Sequence, residues 1–103
     1  MYQSIVATLL ACLTLQALAN PFPAGDEQTG KNFFDQNRCN RCHVRIVGGD
    51  GSFIFTRPDH KVTNPQQLVT QMRFCSSNIH VTLTQQNEQD LGTYLNNNFY
   101  KFK

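Results

Sequence analysis

The chain has 103 residues, 40% of them hydrophobic and 16% charged, with a formal net charge of +2. That length holds one domain, and so small a positive charge, spread without a basic run, excludes an electrostatic footprint for nucleic acid. Eight Phe argue against a disordered chain.

Residues 1–19 carry no Asp, Glu, Lys, Arg or His. Their apolar run, Ile5 to Leu15, is shorter than the about 20 residues of a bilayer crossing, so no membrane span is expected. Ala17-Leu18-Ala19 behind it completes the pattern of a cleaved secretory signal peptide. Leu9-Leu10-Ala11-Cys12 could instead be a lipidation box, but the apolar segment Leu13 to Leu18 would then follow the anchor directly. The expectation is an exported protein, in the periplasm or an equivalent extracytoplasmic compartment, whose domain is residues 20–103. A domain of that size buries only roughly 60–65% of its unfolded surface and calls for disulfides, a metal or a bound group.

After Pro21 and Pro23, Asp26 suits the N-cap of a helix from Glu27 to Asn37. Gly30 and Phe34 share one of its faces, and a glycine there, which costs a helix interior about 1 kcal/mol against Ala, suits the close approach of another helix. Next comes Cys39-Asn40-Arg41-Cys42-His43. Removing the signal removes Cys12 and leaves Cys39, Cys42 and Cys75, an odd number for a disulfide framework. C-x-x-C-H is the attachment signature of a c-type haem. Residues three apart in a helical turn point the same way, so both sulfurs reach the vinyl groups of one porphyrin, while the following His binds the iron axially. The expectation is one haem c, attached through Cys39 and Cys42, with His43 as proximal ligand. A thioredoxin-like dithiol would follow a strand, but the residues before Cys39 read as helix. A zinc site would have to recruit Cys75 and His80 at a spacing foreign to zinc ribbons.

Val44 to Lys61 reads as a connection with a turn cluster at Gly48-Gly49-Asp50-Gly51. Phe53, Ile54 and Phe55 within it could wall a pocket, and Arg57-Pro58 is extended. Asn64-Pro65 opens a helix running to Phe74 or Cys75, with Leu68, Met72 and Cys75 on one stripe. Thr84 caps a last helix, Gln85 to Asn97, with Leu91, Tyr94 and Leu95 on one side, and Phe99, Tyr100 and Phe102 form an aromatic tail. Nothing alternates as a strand does, so the fold class is all-α, with three to four helices.

Three stretches, Gly30-Lys31-Asn32-Phe33-Phe34, the pentapeptide at 39–43 and Leu91-Gly92-Thr93-Tyr94-Leu95, resemble the class I cytochromes c. The resemblance spans residues 20–103. It implies a small cytochrome c fold in which an N-terminal Gly-x-x-x-aromatic helix crosses a C-terminal helix bearing Leu-x-x-Tyr, around one covalently bound haem. Typical members carry a distal Met in the loop before the last helix, and the loop Ser76 to Leu83 has none. The stretch Asn64 to Cys75 and the ending Tyr94-Leu95-Asn96 to Tyr100-Lys101-Phe102 are similar to a smaller subgroup, the His/Cys-ligated monohaem cytochromes of the anammox NaxLS type. That likeness implies Cys75 as distal ligand, binding of a diatomic gas, and a related cytochrome subunit as partner in a heterodimer.

Read from the residues, the sixth ligand has four candidates: Cys75, Met72, His80 and His60. Cys75 is favoured because an unpaired thiol in an oxidising compartment usually has a partner, and ferric iron outweighs the unfavourable helix end. Met72, one turn away, then packs on the ring, and His80 and His60 face solvent. A thiolate lowers the reduction potential relative to a thioether. Met72, Phe53 and Phe55 would line a dry distal pocket and Arg57 and Arg73 would serve the propionates; the resemblance implies that a Pro after the pentapeptide, here Pro58, supplies the carbonyl that accepts from His43. The expected function is an exported monohaem cytochrome that binds NO or CO on reduction, transfers one electron at low potential, or both. The alternatives are a conventional His/Met or bis-His electron carrier with a redox partner protein, and a haem subunit that holds a partner chain with its aromatic tail. No acid–base pair or nucleophile–His set stands out, so the protein reads as not an enzyme.

Overall fold

A computed structural model of the chain describes residues 20–103; the expected signal peptide at 1–19 lies outside the described residues. The described chain is all-α, with no strand: α1 (Glu27–Gln36), α2 (Arg41–Val47), α3 (Phe53–Thr56), α4 (Pro65–Asn78), α5 (Gln85–Leu95) and a π-helical turn, Asn96–Tyr100. No helix among the described residues is long and apolar enough to cross a membrane.

Each long helix begins at the cap residue its sequence offers. Asp26 accepts from the Thr29 amide at 2.8 Å and the Thr29 hydroxyl at 2.7 Å. Asn64 accepts from the Gln67 amide at 2.8 Å, ahead of Pro65 at the first helical position. Thr84 and Asn87 form a reciprocal capping box. Such caps satisfy amides that the helix leaves without partners.

The most extensive helix contact is between α1 and α5. Gly30 makes it: a Cβ there would run into the Asp90 backbone carbonyl and come within 2.9 Å of the Tyr94 Cβ. The entry segment is fastened to the same helix. Asp90, buried in α5, accepts from the Asp26 amide and the Gln86 side chain, both at 2.9 Å, and the Thr93 hydroxyl donates to the Phe22 carbonyl at 3.2 Å. Phe22, Phe34, Phe55, Val62, Leu68, Met72, Leu91 and Leu95 form the core.

Four expectations about elements change. The stretch from Val44 to Lys61 is not a plain connection. The turn of the pentapeptide continues as α2 until Gly48, whose φ of 76° ends it, and α3 adds one helical turn. The helix count therefore exceeds three to four. α4 runs a turn past Cys75, to Asn78, and stops in a Schellman arrangement: His80 sits at φ 60°, with the Val81 and His80 amides bonded to the Ser76 and Ser77 carbonyls. α5 stops at Leu95 and passes into the π turn, because the buried Asn96 side chain turns the tail back, accepting from the Phe102 amide at 2.7 Å and donating to its carbonyl at 3.0 Å. Phe99, Tyr100 and Phe102 accordingly pack on the protein's own core rather than standing out as a contact surface.

Candidate functional site

α1 also ends in a Schellman turn. Arg38 adopts φ 54°, its amide reaches the Asp35 carbonyl at 3.2 Å, and the Cys39 amide reaches the Phe34 carbonyl at 3.1 Å. The reversal delivers Cys39 and the first turn of α2 to the mouth of a cavity of about 290 Å³, at the lower end of the roughly 300–1,000 Å³ of ligand pockets. Cys39, His43, Ile54, Phe55, Arg57 and His60 contribute to its walls; Leu68, Met72 and Cys75 reach it from α4; Phe34, Leu91, Leu95 and Tyr100 close it from the core.

His43 is half-buried, and burial alone pulls its pKa below the ordinary 6.5. Its Nδ1 lies 2.9 Å from Asn40 Oδ1, and its ring stands edge-on to Phe55 with centroids 5.2 Å apart. Burial, and then the neighbouring Cys75, pushes the Cys39 thiol up to about 11. The same two causes push the Tyr100 phenol up to about 12. Cys75 Sγ is 3.3 Å from the Gln71 side-chain nitrogen. The three described cysteines form no disulfide with one another.

Of the expected site residues, Cys39, His43, Met72, Cys75, Phe55 and Arg57 line one cavity, while the others do not. Cys42 is exposed on α2 and lines no part of the cavity; its Sγ lies 3.9 Å from an Arg45 nitrogen. Phe53 is 56% exposed and Ile54 takes its place, because α3 is helical and turns successive side chains through about 100°. Phe55 lines the cavity with its ring against His43. Arg73 lies outside the cavity and binds Glu88 in a bidentate pair, Nε and Nη2 each donating to one carboxylate oxygen, the second at 2.9 Å. Pro58 is exposed and outside the cavity, and the acceptor beside His43 Nδ1 is a side chain, Asn40. His80 is held in the α4 cap, beside a separate surface depression.

His60, expected to face solvent, lines the cavity. Its Nδ1 lies 2.6 Å from the Arg57 carbonyl oxygen, which only accepts, so Nδ1 carries a proton. The turn that places it, His60 amide to Arg57 carbonyl at 3.0 Å, follows from Arg57-Pro58-Asp59, a turn signal in plain view. Tyr100 was legible only as part of an aromatic tail. Arg57 Nε lies 3.1 Å from Asp59 Oδ1 but outside hydrogen-bonding geometry, so this buried donor at the cavity wall has no bonded acceptor. Among the described residues no group of three or more His, Cys, Asp or Glu suited to a metal ion assembles. No family model, curated protein or solved structure matches the chain.

Proposed function

We propose that the protein is an exported monohaem c-type cytochrome of the class I kind, with haem attached through Cys39 and Cys42, His43 on one side of the iron and Cys75 on the other. In this reading it binds NO or CO on reduction, transfers one electron at low potential, or does both, and is not an enzyme. Its partner is a redox protein or a related cytochrome subunit. The carrying observation is that the cavity brings Cys39 and His43, from the α1–α2 junction, together with Met72 and Cys75, from α4.

Cys39, His43, Cys75 and Arg57 suit the group, whereas Cys42 would have to turn toward it. Two protein ligands suffice when a porphyrin supplies the other four, which agrees with one imidazole and one thiol rather than a three-residue cluster. Arg57 Nε is a buried donor without a bonded acceptor, the kind of partner a propionate needs. Haem bound here would supply a one-electron couple and a binding position for a diatomic gas.

The chain's own residues do the rest. Asn40 holds the far nitrogen of His43, leaving Nε2 for coordination. Phe34, Phe55, Leu68, Leu91 and Leu95 keep the cavity apolar and exclude water. Met72, one turn from Cys75, packs. Cys42 is the residue that must turn from solvent toward the cavity for a second thioether to form.

His60 supports a second reading, in which its Nε2 replaces Cys75 and the protein is a bis-His electron carrier; its place in the cavity wall is the reason to weigh it. One set of measurements separates the readings. Protein made with haem-maturation machinery is expected to be coloured, to keep the haem mass increment after denaturation, and to show a thiolate-type ferric EPR spectrum. Cys75→Ala is expected to abolish that spectrum while His60→Ala retains it. Colourless protein ends both readings, and a spectrum lost in His60→Ala but kept in Cys75→Ala selects the second.

A further inference from the structure

Asn40 occupies one of the two unspecified positions of C-x-x-C-H, yet its side chain is bonded at both ends. Nδ2 donates to the Asp50 carbonyl, and Oδ1 faces His43 Nδ1 at 2.9 Å. The orientation of the amide follows from its partners. A backbone carbonyl only accepts, so the end toward Asp50 is the NH₂ and the end toward His43 is the oxygen. That oxygen also only accepts, so His43 Nδ1 must carry the proton and Nε2 the lone pair. The other close aromatic neighbour of the ring, Phe55, offers no acceptor.

The turn behind Asn40 is itself built to hold it. The Gly51 amide closes on the Gly48 carbonyl at 3.0 Å. The Asp50 carboxylate accepts from the Ser52 amide at 2.9 Å and hydroxyl at 2.7 Å. Gly51 has φ +82°, and a Cβ there would lie 2.5–2.8 Å from the Asn40 amide group. Glycine is therefore required twice, once by the backbone angle and once by the side chain lying against it.

We infer that Asn40, clamped by the turn at residues 48–52, is the positioning residue of His43: it selects the imidazole tautomer and fixes the ring through a side chain rather than a backbone carbonyl. The tautomer effect belongs to the chain itself; the consequence for bound haem rests on the reading above. A hydrogen bond to the far nitrogen raises the basicity of an imidazole ligand, so losing it raises the reduction potential.

Two arms test this. In the haem-free full chain, ¹⁵N-detected NMR of His43 is expected to show the Nδ1–H tautomer. Asn40→Leu, of similar size but without an acceptor, is expected to give a mixture of tautomers, and Asn40→Asp, which keeps an acceptor, to restore the parent state. Gly51→Ala, acting from the turn side, is expected to shift His43 in the direction of Asn40→Leu. An Nε2–H tautomer in the parent, or an unchanged tautomer in Asn40→Leu, overturns the inference whatever becomes of haem. In haem-loaded protein, Asn40→Leu is expected to have the higher potential, and equal potentials overturn the inference while leaving haem attachment standing. Failure to load haem leaves the tautomer arm to decide.

Discussion

Gly30 meets the backbone carbonyl of Asp90 with no room for a side-chain carbon between them. The contact joins α1, which delivers Cys39, to α5, which contributes Leu91 and Leu95 to the cavity, so it sets the depth of the site as well as the packing of the fold. Gly30→Ala would gain about 1 kcal/mol of helix propensity but must push the helices apart. We expect a net loss of about 1–3 kcal/mol in urea unfolding, against little change for Lys31→Ala on the exposed face. A Gly30→Ala protein as stable as the parent would mean that the helices part freely.

The cysteines of the pentapeptide differ in surroundings. Cys39 is partly buried with its thiol pushed up to about 11, whereas Cys42 is exposed. Thiolate is the reacting species, so iodoacetamide at pH 8 is expected to modify Cys42 well before Cys39 in haem-free protein, as read by peptide mass spectrometry. In haem-loaded protein neither should react. Equal rates in the haem-free chain would contradict the described burial of Cys39.

Met72 is 4% exposed beside Leu68. Met72→Ala should cost about 2–5 kcal/mol through the cavity it leaves, while Met72→Leu should stay within about 1.5 kcal/mol of the parent. If Met72 packs rather than ligates, Met72→Leu also keeps the ferric spectrum of the parent. A changed axial signature in Met72→Leu would make the thioether the ligand.

Acid should destabilise the fold from the helix starts inward. Asp26 is held below its ordinary 3.8 by the Thr29 hydroxyl and then the Thr29 amide, Glu27 below 4.5 by the Asn97 and Asn98 side chains, and Glu88 below 4.5 by Arg73. A carboxylate whose folded pKa is depressed contributes stability above its unfolded pKa and loses it as pH falls through the folded value. The urea midpoint is therefore expected to fall gently below about pH 6.5, where burial holds His43 below its ordinary pKa, and more steeply below the ordinary carboxylate values. Asp26→Asn should start lower and fall less steeply, and a midpoint that rises on acidification would reverse the assignment.

What the residues determined alone is local. Asp26, Asn64-Pro65 and Thr84 state their helix starts because a cap and its amide lie within three residues, and Leu68, Met72 and Cys75 share a stripe because helical geometry repeats every 3.6 residues. Gly30 could be read as a close approach from the residue itself, and its partner, the last helix, only from the resemblance. The meeting of Cys39 and His43 with Cys75 depends on two local turns that the residue types do not announce, at the left-handed Arg38 and at Asn96, and on the α1–α5 crossing, a contact between distant parts of the chain. For the same reason Arg73 is lost to Glu88, His80 to a helix cap and Phe53 to solvent, while His60, Tyr100 and Asn40 enter the site. Periodicity says which side chains share a face of one helix; only packing against the other helices decides which faces meet.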